Sequence, residues 1–212
     1  VQQRALLRKK NLKDNSFAAH QLMMSATPIP RTLSMSYFAD MDVSIINELP
    51  PGRQKISTKI FSESKRNEIL ETINHQCSLG NQVYWVCPLI DESEKLDLEN
   101  AIQTHRNLVN YFSNWQVGLI HGKMKPSEKD EVMQAFIKGN TNILVATSVI
   151  EVGVDVPNAN LMIIENSERL GLSQLHQLRG RIGRGDKKSS CVLLYGKKLS
   201  DLAKERLKII YE

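Results

Sequence analysis

Short apolar runs alternate along most of this chain with longer segments in which apolar residues recur at helical spacing. The short runs predict buried strands at 55–61, 83–87, 116–120, 143–146 and 190–195. The longer segments predict helices at 63–79, 101–112, 126–137 and 199–212. The acidic segment 91–98 has no periodicity, so it is predicted to be a mobile loop. Strands alternating with helices predict an α/β fold, in which helices cover both faces of a parallel sheet.

The stretch from Asn142 to Gly185 carries the residues with the most chemical character. Its first strand, Ile143–Ala146, gives way to the hydroxyls of Thr147 and Ser148. A buried strand shows this change where it reaches the edge of a sheet. Because ligands of open α/β sheets bind at the carboxyl ends of the strands, the pattern predicts a ligand site after this strand.

A helix is also predicted from Gln174 to Arg184, with two different faces. Helical spacing gives an apolar stripe of Leu175, Leu178 and Ile182 and a polar stripe of Gln177, Arg181 and Arg184. Gly180 and Gly183 alternate with the arginines and let a bulky anion come close. Since a guanidinium donates two parallel hydrogen bonds to phosphate oxygens, the pattern favours a phosphate-chain site over a solvated basic helix.

Composition narrows the class of protein only slightly. The 212 residues include 28 basic and 23 acidic ones, a net charge of +5 that fits a polyanion partner without requiring one. Cys77, Cys87 and Cys191 lie far apart without a C-x-x-C pair, so the sequence favours buried free thiols in a reducing cytoplasm over a zinc site or disulfides. No apolar run is as long as a membrane span. The chain begins at Val1, and we expect it to be a fragment.

Three sequence motifs resemble those of superfamily 2 helicases. QLRGRIGRG at 177–185 resembles motif VI, TSVIEVGVDVPNA at 147–159 resembles motif V, and MSATPIPRTL at 24–33 resembles motif III. Two longer segments, NELPPGR at 47–53 and GLSQLHQLRGRIGRG at 171–185, are similar to sequences of the RecG family of branched-DNA helicases. The resemblance covers nearly the whole chain.

This resemblance implies a RecA-like fold of the P-loop NTPase type and two domains. Residues 1–45 would be the end of a first RecA-like domain with motif III, and 46–212 a second one with motifs IV to VI. The sequence has no G-x-x-x-x-G-K-[ST] loop, and no D-E-x-H or D-E-x-x box follows an apolar strand to hold magnesium. The family carries both before motif III, where they hold ATP and Mg²⁺. We therefore expect the chain alone not to hydrolyse ATP.

The resemblance also assigns roles to individual residues. Arg181 and Arg184 would be catalytic arginine fingers on the ATP γ-phosphate. The bound ATP would also be contacted by Gly153, Asp155 and Gln177. Nucleic-acid backbone contacts would come from His121, Gly122, Lys123, Thr147 and Ser148. Coupling between the nucleotide and the nucleic acid would involve Ser25, Ala26 and Thr27.

Taken alone, some of these residues have plainer interpretations, and the function has competitors. Asp155 could cap its own turn, and His121 could be a structural histidine. The resemblance implies an ATP-dependent helicase that acts on branched or forked DNA in recombination and repair, in the cytoplasm and not at a membrane. Its alternatives are a transcription-repair coupling translocase, another superfamily 2 motor such as an RNA helicase, and a non-catalytic nucleic-acid binding module.

Overall fold

The computed structural model describes residues 22, 24, 44–46, 48, 54–88, 94–147, 156–185, 187–196 and 199–211. The regular elements described here lie in a compact unit that extends from Ser44 to Glu212. Its strands are β1 (Ser57–Ser62), β2 (Gln82–Val86), β3 (Val117–Ile120), β4 (Ile143–Ala146), β5 (Ala159–Ile164) and β6 (Ser190–Tyr195). Its α-helices are α1 (Arg66–Ser78), α2 (Glu94–Tyr111), α3 (Pro126–Ile137), α4 (Leu172–Arg179) and α5 (Asp201–Tyr211).

The six strands form one sheet in the order β1-β6-β5-β2-β4-β3. Every neighbouring pair is parallel. Strand β2 lies inside the sheet between β5 and β4, and all of its residues are buried. A parallel strand covered on both faces is apolar throughout, which is why this run is so hydrophobic in sequence. The predicted α/β fold is confirmed.

Helices cover both faces of the sheet, because alternate residues of each inner strand point to opposite sides. On β2, Tyr84 and Val86 belong to a core with residues of α3, α4 and α5, whereas Val83 and Trp85 belong to a core with residues of α1 and α2. The largest buried side chains, Trp85, Tyr84 and Phe136, lie in these two cores. The sheet is therefore a closely packed layer that can hold sites at its edges in fixed positions.

Two sequence predictions about local structure are wrong. The described part of segment 91–98 is helical, since α2 begins at Glu94, and its Asp97 is buried. The acidity of the segment therefore did not determine its conformation. The helix predicted to run through Arg184 ends at Arg179, with Gly180 as its C-cap. A left-handed Gly183, with φ of 72°, cannot continue a right-handed helix. Arg181 and Arg184 therefore lie on a loop.

The cysteine prediction is confirmed. Cys77, Cys87 and Cys191 are free and buried. Burial raises the pKa of Cys77 to about 11 and that of Cys191 to about 12, because a thiolate is disfavoured in an apolar surrounding. Among the described residues, no helix is long and apolar enough to cross a membrane.

Candidate nucleotide and nucleic-acid sites

The predicted site residues that the structure describes fall at two opposite edges of the sheet. Thr147 directly follows β4 and His121 directly follows β3, so both lie at the carboxyl edge. The loop after α4 leads into the start of β6, so Arg181 and Arg184 lie toward the amino edge. A strand of four residues spans about 13 Å, so the residues at one edge lie at least about that far from those at the other.

We call Gly180–Gly185 the arginine loop. Its central residue, Ile182, is fully buried in the core that includes Leu175 of α4. The Arg181 N–H donates to the carbonyl of Leu178 at 2.9 Å, which adds one more turn after the helix. Arg184 is exposed. The apolar stripe predicted from the sequence therefore anchors the loop that carries Arg181 and Arg184.

Two glycines let the arginine loop pack closely against its neighbours. A Cβ atom on Gly183 would lie 3.0 Å from Cγ1 of Ile56, in addition to the left-handed backbone at this position. A Cβ atom on Gly185 would lie 2.8 Å from the carbonyl oxygen of Pro157, closer than real Cβ contacts come. The loop is therefore seated directly on the segment that enters β5, and its position depends on both glycines.

The three arginines of this region have different surroundings. Arg179, the last residue of α4, donates from Nη1 to the carbonyl of Ile210 at 3.1 Å and to Thr58 Oγ1 at 3.4 Å. It joins α4 to α5 and β1, which is a structural task. Gln177 and Arg184 are exposed and Arg181 is half-buried. The structure therefore agrees with the sequence in leaving Arg179 out of the candidate phosphate site.

At the carboxyl edge, the register of β3 and β4 brings two predicted residues side by side. Ile120 pairs with Ala146, and the N–H of Thr147 donates to the carbonyl of Ile120 at 3.2 Å. The next residue along β3 is His121. The structure therefore brings His121 and Thr147 together, although 25 positions separate them in sequence.

Both residues carry a buried polar atom without a hydrogen-bond partner among the described residues. These atoms are Nδ1 of His121 and Oγ1 of Thr147, whose residue is only 1 % exposed. Burying a hydroxyl without a hydrogen bond costs about 1–3 kcal/mol of folding free energy, so such a group often binds a ligand. Burial and the charges of Lys129 and Lys123 lower the pKa of His121.

The turn after β3 is basic and well ordered by local bonds. Lys129 on α3 donates from Nζ to the carbonyl of Gly122 at 2.8 Å. The N–H of Lys125 donates to the Glu128 carboxylate at 2.9 Å, which closes the start of α3. Gly122 and Lys123 are exposed. The turn thus presents cationic side chains beside Thr147, an arrangement that suits the backbone of a nucleic acid.

Six predicted site residues cannot be placed. Ser25, Ala26, Thr27, Ser148, Gly153 and Asp155 lie outside the described residues. Their roles in coupling, nucleic-acid contact and nucleotide binding stay predictions.

A polar cluster that sequence reasoning missed surrounds Glu165, the residue after β5. Its carboxylate lies 2.7 Å from Nη2 of Arg66, which also stacks on Trp85 with 4.9 Å to the ring centroid. The Cys87 thiol donates to the same carboxylate at 3.3 Å. The pKa of Cys87 is therefore raised, first by burial and then by Glu165. The sequence signal that could have indicated this cluster is a carboxylate directly after an apolar strand. The cluster connects α1 to β2 and β5 and lies beside a cleft of about 400 Å³.

The sequence and the fold together place the chain in a helicase family. The helicase conserved C-terminal domain family matches residues 60–186, more than half of the chain, and the chain belongs to this family. It is 54 % identical over 211 residues to the ATP-dependent DNA helicase RecG of Pasteurella multocida. That match covers 99 % of this chain and 30 % of the relative, so the chain spans less than a third of the relative's length.

Solved structures give the same fold. A structure of RecG bound to a three-way DNA junction matches with a TM-score of 0.74 and 42 % identity, covering 89 % of this chain and 24 % of that one. The S. cerevisiae protein Dbp5 bound to RNA and ADP BeF3 matches with a TM-score of 0.56 and 15 % identity, covering 76 % of this chain and 39 % of the other. The second likeness concerns the fold alone. The predicted RecA-like helicase domain and the resemblance to RecG are confirmed.

Proposed function

We propose that the chain is the second motor domain of a RecG-like, ATP-dependent DNA helicase that acts on branched DNA in the cytoplasm. The observation that carries this proposal is the arginine loop: Ile182 anchors it, Gly183 packs against the Ile56 side chain, Gly185 packs against the Pro157 carbonyl, and Arg184 is exposed. A loop fixed in this way can hold guanidiniums in place before a charged substrate arrives, which is the condition for effective electrostatic stabilisation.

In this proposal, ATP binds between the arginine loop and a first RecA-like domain of the same polypeptide, to which we assign residues 1–45. That domain would supply the P-loop and the ligands of Mg²⁺. Arg181 and Arg184 would approach the γ-phosphate and stabilise the charge that spreads over its oxygens during transfer. Gln177, Gly153 and Asp155 would line the same side of the nucleotide.

We assign DNA to the carboxyl edge. Oγ1 of Thr147 and Nδ1 of His121, which have no hydrogen-bond partner in the described part of the chain, would bond phosphate oxygens, with Gly122, Lys123 and Ser148 beside them. Such contacts hold the backbone of DNA without reading its sequence, as a translocating motor requires. Ser25, Ala26 and Thr27 would couple this grip to the state of the nucleotide. The relative captured on a three-way DNA junction supports a branched substrate.

The test is steady-state ATP hydrolysis by the complete motor without nucleic acid and with single-stranded DNA, forked DNA or RNA. We expect the strongest stimulation by forked DNA, because the proposed substrate is branched. Equal stimulation by any duplex would instead favour a transcription-repair coupling translocase, and a preference for RNA would favour an RNA helicase. Absence of hydrolysis under all conditions would contradict a motor and leave a nucleic-acid binding module.

Replacing Thr147 by valine separates DNA binding from folding. Valine keeps the shape but removes the unpartnered hydroxyl, so the thermal stability of the free protein should be unchanged or higher. DNA affinity should fall by about tenfold, since a hydrogen bond to a charged group contributes about 1.5–3 kcal/mol. Thermal melting and DNA titration at fixed salt measure the two effects.

A matched control for this substitution is Thr141→Val. Thr141 is another buried threonine, but it precedes β4 and therefore lies at the amino edge of the sheet. Its replacement should leave DNA affinity unchanged. Equal DNA affinity of the Thr147 variant and the unsubstituted protein would remove this hydroxyl from the DNA site.

A further inference from the structure

A buried network of amides and hydroxyls lies behind the arginine loop, at the amino edge of the sheet. Asn160 on β5, Ser189 before β6 and Asn81 before β2 are 2 %, 3 % and 8 % exposed. Each of these residues comes from a different strand end. Polar groups at such depth are stable only when they are hydrogen-bonded, and a network of this kind fixes the elements that it joins.

Asn160 is the centre of this network because its side chain bonds on both sides. Its Nδ2 donates to Oδ1 of Asn81 at 3.1 Å, and its Oδ1 accepts from Oγ of Ser189 at 3.2 Å. The same Asn81 oxygen accepts from Nζ of Lys187 at 3.0 Å. Lys187 and Ser189 both belong to the segment that follows the arginine loop. Asn160 thereby ties that segment to the ends of β5 and β2.

Ser189 also lies close to the arginine loop. A Cβ atom on Gly183 would meet Cβ of Ser189 at 3.5 Å, which is ordinary van der Waals distance. Gly183 is the residue before Arg184. A shift of Ser189 therefore changes the surface on which the arginine-bearing backbone rests.

We propose that Asn160 is a positioning residue for ATP hydrolysis, which holds the arginine loop in place through Ser189 and Asn81. This inference rests on the proposed function of the loop and names a residue outside its sequence motif. Asn160 would not touch the nucleotide. Its effect would appear in the turnover step, where the placement of the guanidiniums decides the rate, and much less in the binding of ATP or DNA.

The chain offers a matched control in Gln82. This amide is also buried, 3 % exposed, and lies at the same edge, at the start of β2. Its Nε2 donates to the carbonyl of Phe136, in the last turn of α3, and to that of Thr141, between α3 and β4. Neither residue belongs to the arginine loop. Loss of either amide should therefore cost similar stability, but only the loss of Asn160 should disturb the arginines.

The experiment compares Asn160→Ala, Ser189→Ala and Gln82→Ala in the complete motor. Asn160→Ala should lower the DNA-stimulated kcat by about tenfold to a hundredfold, the range that a displacement near 1 Å produces, with KM for ATP and DNA affinity within about twofold. Ser189→Ala should lower kcat in the same direction. Gln82→Ala should lower the melting temperature without lowering kcat.

Equal kcat values for Asn160→Ala and Gln82→Ala would overturn the inference, as would a drop confined to KM. If Asn160→Ala does not fold, the smaller Ser189→Ala change decides the question by the same criterion. Arg184→Ala is measured in parallel. Unchanged turnover in that variant would reject the proposed function itself, whereas lost turnover there with normal kcat in Asn160→Ala would reject only the positioning role.

Discussion

Replacing Arg184 by alanine in the complete motor should reduce DNA-stimulated ATP hydrolysis by about a thousandfold or more, because this is the contribution of an arginine that meets the γ-phosphate in the transition state. DNA affinity should stay largely intact, since Arg184 belongs to the arginine loop and the proposed DNA site lies at the opposite edge of the sheet. Steady-state turnover and DNA titration of the same preparation measure the two quantities.

Lysine at this position should restore little activity. A compact ammonium cannot reproduce the planar fork that donates two parallel hydrogen bonds. Arg106→Ala is the matched control, because Arg106 is an exposed arginine on α2. It should hydrolyse ATP normally. Normal turnover in Arg184→Ala would remove the arginine finger assignment from this residue.

Replacing Gly185 by alanine should lower ATP turnover by about a hundredfold, because a misplacement near 1 Å can have this effect on a catalytic group. The added Cβ would lie 2.8 Å from the carbonyl oxygen of Pro157, so the backbone on one side must move. Arg184 is the preceding residue and should move with it. The measurement is kcat of the complete motor, with circular dichroism to verify that the variant folds.

Gly171→Ala is the control for this change. Gly171 precedes α4, and a Cβ there would meet only the Gln174 side chain, at an ordinary 3.6 Å. Its turnover should be close to that of the unsubstituted protein. If Gly185→Ala also turns over normally, the segment at Pro157 absorbs the contact and the position of Arg184 does not depend on it.

Several elements could be predicted from sequence to the residue. The bounds of α3, β4 and β6 agree with the predicted ones, because each has a local signal: Pro126 suits the first turn of a helix, and the two strands are apolar runs with polar ends. The extent of α4 could not be predicted in this way. Helical spacing continues through Arg184, but the helix ends at Arg179, and the left-handed Gly183 keeps the following residues from continuing it without changing the pattern.

The sequence indicated residues for the candidate sites, whose roles stay predictions, but not the layout of these sites. The order of arginines and glycines indicated Arg181 and Arg184, although on a helix, and the hydroxyls after β4 indicated Thr147. Sequence does not give the order of strands, so it could not show that these groups lie at opposite edges, or that Asn160 and Asn81 meet behind the loop. Contacts between residues that are distant in the chain depend on the sheet as a whole.

The placement of two working edges on one closely packed sheet has a mechanical consequence. A densely packed interior does not absorb displacement, so the sheet moves as a rigid lever. Its arms end in the arginine loop and in the turn that holds His121. If the domain pivots to bring its arginines to ATP, as we propose, the other arm would swing in the opposite sense. A tight grip on DNA at that end would then be converted into a step along the strand, without any change in the shape of the lever itself.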